Sequence, residues 1–158
     1  MLDSPGVMKA SFVKAAQEAG LPLCRIDHEL HPAPHKPPTL PKGKCGVYVF
    51  SLSKSYGKTC PAGSNRVLKV GKAGMNSKAR FQYQHYKLNS ARSTLAGSLF
   101  KRRILWPYLG ITVLLEAQVE DWVKENTDRD SFFLDNLDVL PDLERYLRGI
   151  LGPVFEGS

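Results

Sequence analysis

The side chains best suited to chemistry are Tyr48, Lys69, Lys72, Arg80 and, well downstream, Glu144. A phenol acts as a general base only when its pKa, ordinarily about 10, is drawn down by neighbouring cations. Lys69 and Lys72 lie on the strand expected to pair with that of Tyr48 and can supply them. Arg80, one turn into a helix, offers a planar fork of donors matched to phosphate oxygens. Such a set suits hydrolysis of a phosphodiester, which needs an activated water, neutralisation of charge gathering on phosphorus and help for the departing oxygen.

The charge distribution narrows the substrate. The 158 residues carry 22 Lys and Arg against 15 Asp and Glu, a net +7. That total conceals three segments: residues 1–29 sum to −1, residues 30–115 hold 15 bases and no acid, and residues 116–158 sum to −7. An 86-residue stretch without a carboxylate projects a positive field whose usual partner is nucleic acid. A solubilising surface or a contact with anionic membrane is the alternative. A hydrophobic fraction of 42% argues against disorder or a fibre. No run approaches the length of a membrane span, and Asp3, Lys9, Lys14 and Glu18 interrupt any signal-like segment, so a cytoplasmic, nucleoid-associated protein is expected. The three cysteines, Cys24, Cys45 and Cys60, show no paired metal-ligand spacing. The prolines among His28, His31 and His35 disfavour a zinc site there.

These residues must be held by an α+β (mixed α/β) domain, a small three-stranded sheet flanked by helices. Ser4-Pro5 and Gly20 bound an N-terminal helix. Six of the 11 prolines fall in 22–41 and predict an extended arm, so residues 1–43 form a helix and arm before a domain at 44–158. The β-branched and aromatic runs 46–50 and 66–71 read as a hairpin joined by a long loop, 53–65. Helices are expected over 76–88, 93–105 and 112–126, a third strand at 132–134, and a last helix from about 141 that stops at Gly152-Pro153.

Gly46-Val47-Tyr48, then Lys69-Val70-Gly71-Lys72, Arg80, Glu144 within Leu143-Glu144-Arg145-Tyr146-Leu147, and the terminal Gly152-Pro153-Val154-Phe155-Glu156-Gly157 occur in an order that resembles the GIY-YIG nuclease family. The resemblance spans roughly residues 44–157. It implies a metal-dependent endonuclease hydrolysing DNA phosphodiester bonds, with Tyr48 as general base, Lys72 as its activator, Arg80 as phosphate clamp, and Glu144 as ligand of Mg²⁺ or Mn²⁺. One carboxylate with several waters is a normal way to hold Mg²⁺ against a phosphate. Lys69 stands where the family usually has tyrosine, and the loop between the two motifs is longer than usual. Lys69, Tyr83 or Tyr86 is then available to help organise the attacking water.

Lys78, His85, Arg92, Lys101, Arg102 and Arg103 are the candidate DNA contacts, directed at phosphates rather than base edges. RNA is a possible substrate on the same chemistry. A nucleic-acid-binding module that kept the fold and lost catalysis is the alternative, with Lys69 as its marker. One site cannot cut two strands at once, so a homodimer, a recognition partner or a nicking activity is expected.

Overall fold

The computed structural model describes residues 5–22, 25–88 and 94–156. Helix α1, Pro5–Glu18, buries Met8, Phe12 and Ala16, four residues apart on one face. Strands β1 (Asp27–His31), β2 (Cys45–Leu52), β3 (Val67–Ala73) and β4 (Thr127–Leu134) form one antiparallel sheet in the order β1-β4-β2-β3. β2 is buried along its whole length because it is a central strand with both faces covered. On one face Tyr48, Phe50 and Phe133 pack against Phe81, Leu95, Leu99 and Val123. On the other, Val47, Val49, Val70, Phe132 and Leu134 pack against Leu140, Leu143 and Leu147 of α6 (Leu140–Leu151) and against α1. Gly152 ends α6 in the left-handed conformation at φ 55, where glycine bears no steric penalty.

The mixed α+β class holds, with a sheet of four strands rather than three. The added strand, β1, lies within the segment expected to be an extended arm. It occupies the five residues before Pro32, runs antiparallel to β4 and stays at the sheet edge, the position that tolerates its polar sequence Asp-His-Glu-Leu-His. The N-terminal segment is therefore built into the same sheet as the downstream strands.

The expected helices are shorter than their periodicity suggested. Over 76–88, α3 (Lys78–Gln82) stops early and resumes as a 3-10 turn, Gln84–Tyr86. The reason is a buried guanidinium, that of Arg129, which takes the carbonyls of Phe81 and Gln82. Over 93–105 the helix is α4 (Leu95–Lys101), capped by Thr94, whose hydroxyl accepts from Gly97 N–H at 3.1 Å. Over 112–126 only α5, Val119–Asn126, is α-helical. Gln118 accepts the amide of Leu115 at 2.9 Å and starts a 3-10 turn there, leaving Val113 and Leu115 in solvent. The long loop 53–65 holds one turn of helix, α2 (Lys54–Gly57), capped by Ser53.

Candidate active site

Pairing of β2 with β3 sets Tyr48 directly opposite Gly71. A Cβ on Gly71 would lie 2.6 Å from the Tyr48 hydroxyl and 2.7 Å from its ring carbons, so the phenol lies across the backbone of β3 only because that residue is glycine. Gly46, by contrast, makes room for Phe81 and for the carbonyl of Phe132, each 3.1 Å from where its Cβ would sit.

Around Tyr48 the structure gathers Arg80 from α3, His85 from the 3-10 turn, Lys69 from β3 and Arg129 from β4. The Tyr48 hydroxyl is 2.5 Å from Nε2 of His85, and Arg80 also hydrogen-bonds it. Burial pushes the phenol up to about 12, and the charges of Arg80 and Arg129 pull against it. Lys69 is almost fully enclosed, so desolvation, helped by Arg148 and Arg80, lowers its ammonium to about 8. The guanidinium of Arg129 sits 5.1 Å from the Tyr48 ring centroid.

Glu144, on the first turns of α6, is buried and reaches the same strand from the other face of the sheet. Its Oε1 is 3.3 Å from Lys72 Nζ and its Oε2 3.5 Å from Arg148, which also donates to the carbonyl of Val70 at 3.3 Å. This carboxylate acts electrostatically on both Tyr48 and Lys69. Among the described residues no group of three or more His, Cys, Asp or Glu side chains is placed to hold a metal. The carboxylate of Glu144 is the kind of hard oxygen ligand that a Mg²⁺ ion keeping several waters can take.

Three expectations are revised, the first being that the phenol of Tyr48 is drawn down by its cations: burial outweighs Arg80 and Arg129 and raises it. Lys72 lies opposite Val47, one position from the Tyr48–Gly71 row, so alternation sends it to the other face, where it pairs with Glu144; Arg80 and Arg129 are the cations that act on Tyr48. His85 is fully buried and so withheld from DNA. Its Nδ1 accepts the amide of Leu95 at 3.1 Å, and burial with the charge of Arg129 holds its pKa well below 6.5.

Lys78, Lys101, Arg102 and Arg103 are exposed, as phosphate contacts require. Arg103 is steadied over Phe100 at 4.8 Å and Trp106 at 5.6 Å. Arg92 lies outside the described residues. Arg148 and Arg129 were not anticipated. Arg148 had a legible signal, one helical turn after Glu144; Arg129 would have shown itself only had the last strand been extended back to Thr127.

Compared with protein-family models, with curated proteins and with solved structures, the chain matches none. Among the described residues no helix is long and apolar enough to cross a membrane.

Proposed function

We propose that this protein is an endonuclease of the GIY-YIG type that hydrolyses DNA phosphodiester bonds. The observation that carries this reading is the seating of Tyr48 against Gly71 beside Arg80, with Glu144 reaching the same strand, β3. In this reading the Tyr48 phenolate takes a proton from the water that attacks phosphorus. Arg80 meets the phosphate oxygens on which charge gathers, and Lys69 holds a further positive charge beside them. Glu144 would hold a divalent cation, which when bound neutralises the phosphate and eases departure of the leaving oxygen. Lys72 and Arg148 keep the carboxylate oriented until then.

A second reading, a binding module without catalysis, is favoured by two features. Tyr48 is as fully buried as His85, with its phenol pushed up to about 12. Both oxygens of Glu144 are already paired with cations. Incubation with supercoiled plasmid and with RNA, across Mg²⁺ and Mn²⁺, beside Tyr48→Phe and Glu144→Ala, separates the two. Nicking or cutting of DNA that both substitutions abolish is the expected result. Binding without cleavage under every metal selects the second reading, and cleavage that survives Glu144→Ala removes the assigned site.

A further inference from the structure

Arg129 is the largest fully enclosed side chain among the described residues. Its guanidinium carbon lies 4.5 Å from the ring centroid of Phe81, 5.0 Å from Phe50, 5.1 Å from Tyr48 and 5.9 Å from Tyr86. It donates to the carbonyl of Phe81, to that of Gln82 at 3.5 Å and to the Tyr86 hydroxyl at 3.1 Å, while its Nε has no partner. No carboxylate pairs with it among the described residues. Its sequence neighbours are both acids, but alternation points them to the opposite face, where Asp128 accepts from Ala33 N–H at 2.8 Å and Asp130 is 2.6 Å from His28. A charge enclosed without an opposite charge is costly, and ring faces and carbonyl dipoles meet it only in part. Arginine keeps its proton even so.

We propose that Arg129 is a positioning residue whose enclosed charge serves as the internal counter-cation of the Tyr48 phenolate. The inference rests on the nuclease reading, in which Tyr48 must lose its proton to solvent before it can take one from water. The groups that face Tyr48 are Ser131 across β4, Gly71 and Lys69 on β3, Arg80 on α3 and His85 on the 3-10 turn, with Glu144 acting from α6. Of the cations, Arg80 is half-exposed and is the one a phosphate can engage, which divides its charge. Arg129 cannot reach substrate, so its charge stays with the tyrosine throughout turnover. His85 supplies a hydrogen bond to the same oxygen and no charge.

The test places 3-fluorotyrosine at position 48 of the whole chain and follows its fluorine resonance with pH. Arg129→Gln, which keeps a donor for the carbonyls, should raise the titration midpoint by at least about one unit, a tenfold loss of acidity, and Arg129→Lys should restore it. The rising limb of cleavage against pH should move by the same amount with DNA affinity unchanged. A midpoint unaltered in Arg129→Gln overturns the proposal and leaves Arg129 as an anchor for the end of α3. Should that variant not fold, the unsubstituted protein decides. An enclosed counter-cation is not screened, so its midpoint should shift by under about half a unit between roughly 0.05 and 1 M salt. A larger shift hands the role to half-exposed Arg80 and overturns the proposal. A shifted midpoint in a protein that cuts nothing supports the counter-cation and removes the nuclease.

Discussion

The hydroxyl of Tyr48 stands 2.5 Å from Nε2 of His85, and the proton between them belongs to the histidine. Nδ1 of the same ring accepts the Leu95 amide, which places the single proton of a neutral imidazole on Nε2. His85 therefore donates to the phenol and cannot receive the phenol's proton. It favours the phenolate as an oxyanion donor does.

Cleavage should accordingly show no inflection near 6.5. The expected profile rises with pH as the phenolate fraction grows, then flattens near 8, where Lys69 loses its charge. Lys69→Arg, charged throughout, should abolish that bend. A bend that persists in Lys69→Arg would assign it to another group.

Stability should fall on the acid side. His35, enclosed with Nδ1 on the Thr127 carbonyl and Nε2 2.7 Å from the Tyr86 hydroxyl, has its pKa lowered by burial to about 4. Its folded pKa lies below the unfolded value, so the unfolded chain binds the extra proton. Stability is therefore full above about 6.5 and declines as pH drops toward 4, by up to about 3 kcal/mol from this residue. His85 adds loss of the same sign. Urea unfolding at pH 7, 5.5 and 4.5 reads this directly, and His35→Gln should flatten part of the slope.

Gly71→Ala should destabilise the protein by about 1–3 kcal/mol and abolish cleavage, because the new methyl group meets the Tyr48 ring between two paired strands that cannot part. Gly149→Ala, in α6 with nothing within 4 Å of its Cβ, should instead stabilise by about 0.5–1 kcal/mol. Thermal unfolding of the two variants side by side checks the contrast in sign.

The contrast also marks what could be read from the chain. The hairpin of β2 and β3, the terminal helix and the pairing of a Gly-x-Tyr strand with an x-x-Gly-Lys strand were legible because local pattern decides them. β1 was not, since a five-residue segment with four polar side chains becomes a strand only when β4 offers hydrogen bonds to an edge. The side of the sheet taken by Lys72 followed from the register with β2, which the spacing of the motifs leaves open. The short α3 was illegible for a different reason: its end is set by Arg129, 47 residues beyond Gln82.

Glu144 is held by Lys72, whose side chain is half-exposed, and by Arg148. An exposed partner contributes little to stability, so Lys72→Met should alter unfolding by under about 1 kcal/mol. It should also free one carboxylate oxygen and lower the Mn²⁺ concentration needed for half-maximal cleavage. Glu144→Gln should lose cleavage by about a hundredfold or more at every metal concentration. A higher metal requirement in Lys72→Met would mean that the lysine helps to assemble the site and does not compete for Glu144.

Lys101, Arg102 and Arg103 follow one another from the end of α4 into a 3-10 turn and are all exposed. No carboxylate lies within the sequence from 30 to 115, so nothing local neutralises them. The stacking of Arg103 on Phe100 and Trp106 fixes one guanidinium in advance and lowers the entropy lost on contact. Phosphate contacts release counterions whatever the base sequence, each contributing about 0.9 to the slope of log affinity against log salt. Replacing all three with alanine should therefore weaken binding equally for unrelated duplexes and reduce the slope by about 2 to 3. The chemical step measured at saturating DNA should not change. A variant that loses affinity for one sequence only would show that these side chains read bases, and an unchanged slope would show that they face solvent in the complex.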